Sequence, residues 1–256
     1  MQVRKRDGTL EDLNIDKLHK VVMYACEGIA GVSASQVEIN SKIQFFDKID
    51  TEDIQETLIK SAADLISEEA PNYQYVAGRL INYHLRKMVY GQFEPPCLCD
   101  IVQENIDAGF YDPEFTDLYT KDEINQLQSY IDHERDEVLT YAAMEQFRGK
   151  YLVQNRATGQ IYETPQVAYM MIAATLFAKY PEDTRMSYIK AYYDAISLFK
   201  ISLPTPVMAG VRTPQRQFSS CVLIETDDSL DSINATTSSI VKYVSQKAGI
   251  GTVSYT

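Results

Sequence analysis

Three adjacent cations, Arg4-Lys5-Arg6, stand beside Asp7-Gly8, a dipeptide suited to a tight turn with positive φ. Asn14 and Lys17 follow at the start of an expected helix. A helix start offers unpaired N–H groups and the positive end of a dipole, so these residues together could form an anion pocket. Glu11, between them, could accept from the sugar or base of a nucleotide. The same residues also fit a solvated hairpin with basic decoration. Cys221 is a potential redox or nucleophilic thiol. It follows Ser219-Ser220 in an apolar run with no His or Lys beside it, so taken by itself it reads first as a packing cysteine. Asp228-Ser229-Leu230-Asp231-Ser232 is rich in capping residues. It either satisfies helix amides or offers an acid to a ribose hydroxyl or base edge.

Composition narrows the classes. The 256 residues carry 24 Lys+Arg against 36 Asp+Glu, a net charge of −12. That balance argues against sequence-independent binding of DNA or RNA, which needs many cations, but it leaves room for a local phosphate pocket. No apolar run approaches the roughly 20 residues of a membrane span, and Met1–Asp7 does not lead into a signal-peptide core. No membrane association and a cytoplasmic location are expected. Cys26, Cys97, Cys99 and Cys221 are too few and scattered for a disulfide scaffold. His19, His84 and His133 are far apart, and Cys97-Leu98-Cys99 has no second ligand pair downstream, so no metal site is expected. Cys97 and Cys99 read as ordinary reduced thiols and Cys26 as core. The 18 tyrosines fall mostly at helical spacing and read as packing residues.

The elements that must position these residues are mainly helical. After the hairpin, Asn14 caps a helix with Ile15, Leu18, Val21, Val22 and Ala25 on one face and Gly28 past its end. Ser33 and Gln36 suggest a capping box for a second helix. Thr51 starts a third, with Ile54, Leu58, Ile59, Ala62, Leu65 and Ile66 at helical spacing, and Pro71 opens a fourth running to Gly91. Phe93-Glu94-Pro95-Pro96 reads as a linker. Beyond it, Thr120 with Glu123 is a capping box, Thr164-Pro165 starts a helix, and Pro181 precedes one holding Met186, Ile189, Tyr193, Ile196 and Phe199. Tyr151–Val153 and Gln160–Tyr162 suggest a short hairpin about Thr158-Gly159. From Pro204 the pattern is ordered loop, then a strand within 218–224, then a helix from Asp228-Ser229 to Gly249. No returning parallel strand is expected before Thr256.

At these residues the chain resembles a known family. Val3–Gly8 with Glu11, Asn14 and Lys17 looks like the ATP-cone of aerobic ribonucleotide reductases. Gly91–Pro96, Lys150–Arg156, Ile201–Pro206, Arg216–Cys221 and Asp228–Thr236 are similar to the large catalytic subunit of class Ia ribonucleoside-diphosphate reductase. The resemblance runs from Val3 to about Gly251. It implies a mainly α fold in three parts: a helical ATP-cone with a small N-terminal hairpin at 1–92, a helical domain at 93–203, and at 204–256 the first strand and helix of an incomplete ten-stranded α/β barrel.

It also implies roles. Cys221 would be one of the redox-active pair that reduces ribonucleoside diphosphates, with Thr205, Ser220 and Gly249 around the substrate. Asp228, Ser229 and Leu230 match the specificity site for deoxynucleoside triphosphates or ATP. Val3, Lys5, Arg6, Glu11, Asn14, Lys17, Thr51 and Lys87 match the activity site reading ATP against dATP. Gln55 stands where the family usually has His, and Tyr83 where it has Phe, so a cone that binds ATP but responds weakly to dATP is expected. No prosthetic group is implied on this chain. A radical-generating small subunit with a di-iron tyrosyl radical, and thioredoxin or glutaredoxin as reductant, are the implied partners. The pattern departs from the family after Gly251, so a natively split subunit is expected, inactive without a second chain carrying the rest. The rival expectation is a non-catalytic nucleotide-binding regulatory module.

Overall fold

The computed structural model describes residues 1–42, 44–246 and 248–254. Tyr255 and Thr256 of the divergent tail lie outside them. The chain runs β1 (Gln2–Arg4), β2 (Leu10–Asp12), α1 (Ile15–Cys26), α2 (Ala34–Lys42), β3 (Ile49–Asp50), α3 (Thr51–Ala63) and α4 (Tyr73–Tyr90). It continues through α5 (Leu98–Asp107), α6 (Glu114–Leu118), α7 (Lys121–Tyr130), a 3-10 segment at His133–Val138, α8 (Tyr141–Gln146) and a π turn at Phe147–Tyr151. Then come α9 (Pro165–Phe177), α10 (Glu182–Ser197), α11 (Thr205–Gly210), β4 (Cys221–Thr226), α12 (Leu230–Ser245) and β5 (Gly249–Ser254). Two compact units result: 1–95 with 132–149 and 156–164, and 96–131 with 150–155 and 165–256. Among the described residues no helix is long and apolar enough to cross a membrane.

In the first unit β1 pairs antiparallel with β2 (Val3 opposite Glu11) and parallel with β3 (Val3 opposite Ile49). The turn between β1 and β2 closes with Gly8 at φ 83°, a conformation that costs glycine little. The Asp7 carboxylate accepts from the Thr9 hydroxyl and N–H, which holds its pKa below the usual range. Leu18, Val22, Leu58, Val76 and Leu80 form the core between the helices. The expected capping box of α2 is replaced. Tyr73 donates its hydroxyl to Gln36 Oε1 and accepts from the Ser33 N–H, so a tertiary contact does the work of a local one. On α4, a Cβ at Gly78 would lie 2.1 Å from the Leu139 carbonyl oxygen. Only glycine lets the 132–149 segment pack this close.

In the second unit the Thr120–Glu123 capping box is formed, and Arg185 closes on Glu123 while stacking 4.6 Å over the Tyr119 ring. Burial pushes the Glu123 pKa up, but the bonds from Arg185 and Thr120 outweigh it and hold the group ionised. Helix α9 is buried on every side from Pro165 to Ala174. Tyr193 donates to Gln166 Oε1 at 2.7 Å within this core.

Several expectations are corrected. Residues 205–210, expected as loop, form α11, because Pro206 in a first turn gives up an N–H that has no helical partner there. The hairpin across 151–162 is not formed: Gln154 and Ile161 carry single bridges, and Tyr151 ends a π turn. Helix α3 stops at Ala63, before Leu65 and Ile66, and α4 begins at Tyr73 rather than Pro71. Phe199 lies past α10 at φ 56°. Helix α12 ends at Ser245, and a returning strand does exist. β5 pairs parallel with β4 from Cys221 opposite Gly249 to Thr226 opposite Ser254, completing a strand–helix–strand unit. Two glycines in Gly249-Ile250-Gly251-Thr252 weaken the strand signal.

Candidate functional site

The first unit holds a pocket of about 360 Å³. Its walls come from the β-ribbon (Val3, Glu11), the start and one face of α1 (Asn14, Lys17, Lys20, Tyr24), α3 (Thr51, Ile54, Gln55) and α4 (Tyr83). Each is placed by a local cause. The Asn14 side chain accepts from the Lys17 N–H at 3.0 Å and fixes the first turn of α1. Lys17, Lys20, Val21 and Tyr24 then share one face at spacings of three and four. Thr51 opens α3 directly after β3, and Ile54 and Gln55 follow one turn on.

Five of the eight expected activity-site residues therefore line one pocket: Val3, Glu11, Asn14, Lys17 and Thr51. Lys5 stands behind Glu11 in a 3.3 Å ion pair. Arg6 is turned to Glu52 at 3.0 Å. Lys87 lies 5.6 Å from the centroid of the Tyr83 ring. None of the three lines the pocket; Lys5 and Lys87 contact the lining residues Glu11 and Tyr83. Burial raises the Tyr83 pKa, with Arg6 opposing. Tyr24 donates to Glu137 Oε1 at 3.0 Å; burial and that carboxylate push its pKa up to about 12. Lys20 and Tyr24 are pocket residues that the sequence reading missed. Their spacing from Lys17 was the available signal.

Gln55 has a further property. Its Oε1 is buried and has no hydrogen-bond partner in the structure. A desolvated acceptor left unpaired costs about 1–3 kcal/mol, so this wall is primed for a donor on a ligand. Cationic donors, a helix start, an acidic acceptor and two aromatic rings around one cavity are the equipment of a nucleotide pocket.

In the second unit the other expected residues lie around β4, α11 and α12. Cys221 is exposed, begins β4 and stands opposite Gly249 in register. A Cβ at Gly249 would lie 2.6 Å from the Ser220 carbonyl oxygen, so a side chain there would push the strands apart. Thr205 is exposed in the first turn of α11. Ser229 caps α12, accepting from the Ser232 N–H at 3.1 Å, while the adjoining Asp228 and Leu230 are exposed.

Lysines, a helix start and an aromatic pair around one cavity fit a nucleotide-binding cone, here joined in one chain to a helical domain. Residues 1–88 match the ATP cone domain, and residues 137–216 match the ribonucleotide reductase all-alpha domain. Over 249 residues, 97% of the chain, it is 61% identical to ribonucleoside-diphosphate reductase 1 subunit alpha of Escherichia coli. It is 59% identical over 251 residues to the alpha subunit of Haemophilus influenzae and 47% identical to that of Enterobacteria phage T4. Over nearly its whole length the chain matches the N-terminal portion of ribonucleotide reductase large subunits. It spans about a third (33%) of the length of these relatives.

Proposed function

We propose that the cone pocket binds ATP as an effector, and that the chain is the regulatory and first catalytic portion of a ribonucleoside-diphosphate reductase alpha subunit. The observation that carries the reading is the meeting of Val3, Glu11, Asn14, Lys17 and Thr51, from separate elements, around one cavity. Lys17 and the start of α1, with Lys5 and Arg6 nearby, suit the phosphates. Tyr24 and Tyr83 suit the base. The unpaired Gln55 Oε1 suits a ribose hydroxyl, and ATP has a 2′-hydroxyl that dATP lacks. Gln55 cannot become cationic, so the cone responds weakly to dATP. Calorimetry should show ATP binding that Lys17→Glu weakens ~10-fold or more. Much tighter binding of dATP than ATP, with loss of activity in the assembled enzyme, contradicts the effector preference.

In the second unit Cys221 is the redox thiol facing the substrate. As the ribose 2′-hydroxyl leaves as water, Cys221 and a second cysteine outside this chain become one disulfide. A thioredoxin- or glutaredoxin-type dithiol then reduces that disulfide. Thr205, Ser220 and Gly249 surround the ribonucleoside diphosphate, and Asp228, Ser229 and Leu230 take the specificity effector. The initiating radical comes from a small subunit carrying the di-iron tyrosyl centre. The polypeptide corresponding to the other two thirds of the relatives covers the strand–helix–strand unit, whose Leu223 and Leu230 are 78% and 85% exposed. Co-expression with that polypeptide and the small subunit should restore reduction of ribonucleoside diphosphates. Cys221→Ser should abolish turnover and leave effector binding intact; retained turnover removes Cys221 from the mechanism.

A further inference from the structure

Tyr24 stands between two openings of the first unit. It lines the candidate pocket of about 360 Å³ and also a second cavity of about 570 Å³, walled by His19, Met23, Cys26, Val32 and Ala34. A ring with space on two sides can turn about its side-chain bonds, and a nucleotide that stacks on it must then order it, at a cost in affinity. Here the ring is held at its far end. Its hydroxyl donates to Glu137 Oε1 at 3.0 Å, across 113 residues of sequence. A hydrogen bond to a carboxylate is stronger than one between neutral groups. Glu137 belongs to the 3-10 segment at His133–Val138, outside residues 1–88 of the cone domain, and it is not among the residues that line the pocket.

The carboxylate is itself fixed. The Glu137 backbone carbonyl accepts from Arg79 Nε at 3.3 Å, and its Oε2 lies 3.7 Å from Arg79 Nη2. Arg79 Nη1 in turn donates at 2.6 Å to the carbonyl of Glu27, the residue that closes α1. Glu137 is thus tied through α4 to the end of the helix that carries Tyr24. The close approach of Gly78 to the Leu139 carbonyl holds the same segment against α4. We propose that Glu137 is a positioning residue of the nucleotide pocket, which fixes the Tyr24 ring for the base of the effector from a segment outside the cone. The inference rests on the reading of this pocket as a site for ATP. Glu137 touches no nucleotide and acts through Tyr24. Removing either end of the bond frees the ring to turn toward the second cavity, so that ATP must order it on binding.

The test is a double-mutant cycle on ATP affinity, measured by calorimetry on the whole chain, with the melting temperature of each variant beside it. Glu137→Ala should weaken ATP binding ~5-fold, the effect of losing one hydrogen bond. Tyr24→Phe keeps the ring and removes the hydroxyl, and should weaken binding by a similar ~5-fold. Combined, the two should again give ~5-fold rather than ~25-fold, because both remove the same bond. Glu137→Gln keeps a carbonyl oxygen that can accept from Tyr24, and should bind ATP within ~2-fold of the parent. A purely structural role through Arg79 would weaken binding as much in the Tyr24→Phe background as in the parent. That additive result overturns the proposal, and so does an unchanged ATP affinity in Glu137→Ala and Tyr24→Phe. A parent chain that binds no ATP overturns the reading of the pocket itself, and the role of Glu137 with it.

Discussion

The ATP-cone end and the strand–helix–strand end of this chain differ in how they finish their surfaces. In the cone Leu18, Val22, Leu58, Val76 and Leu80 pack helix on helix, and a pocket of about 360 Å³ is lined in part by polar side chains from the ribbon, α1 and α3. In the β4–α12–β5 unit the helix buries only Thr236, while Leu230, Ile233, Val241 and Val244 face outward. Two strands gain stability only from what packs on them, and here that is one helix that leaves most of its apolar side chains in solvent. The two ends thus differ: one presents a pocket, the other an uncovered apolar helix face.

The comparison is broken most severely at Gly78. Gly78→Ala puts a methyl group into the Leu139 carbonyl and should destabilise the cone by about 3 kcal/mol. A melting temperature within a degree of the parent would show that the 132–149 segment is not tightly packed. Acid should act on the same segment next. Burial, then Arg86, lowers the His133 pKa to about 4, against 6.5 for the free side chain. The unfolded chain therefore takes up the proton first as pH falls. Stability is fully present above pH 6.5 and should fall by about 3 kcal/mol on the way to pH 4, levelling off below it. Urea midpoints across that range check this, and His133→Asn should flatten the slope.

Smaller effects sharpen the contrast. Asn14→Ala removes the cap of α1 and should cost about 1 kcal/mol while also weakening ATP binding, since the same turn lines the pocket. Unchanged binding beside lowered stability would separate the cap from the site. Leu223→Lys should cost no more than about 0.5 kcal/mol in the chain alone, because the side chain is already in solvent. It should instead weaken association with the complementing polypeptide, read by co-purification.

Legibility in the sequence divided along physical lines. Local signals held: Asn14 caps α1, Thr120 pairs with Glu123, and Gly91 ends α4 in the left-handed region at φ 69°. Signals that depended on partners did not. Gln36 was claimed by Tyr73 from 37 residues away, so the local box at Ser33 never formed. The glycine-rich β5 has little strand propensity and exists because β4 offers a parallel edge. At the candidate site, Val3, Glu11, Asn14 and Lys17, grouped from their spacing in the sequence, share one pocket. Arg6, named with them, is turned to Glu52, a partner 46 residues away that spacing does not reveal. Gln55 was noticed only as a departure from the family; its unpaired buried oxygen is a property of packing.

The most direct test of the contrast is hydrogen–deuterium exchange of the chain with and without ATP. The account predicts slowed exchange confined to 2–24 and 51–58, where the ribbon, α1 and α3 wall the pocket, and no change across 218–254. Protection across 218–254 without change in the cone would contradict it.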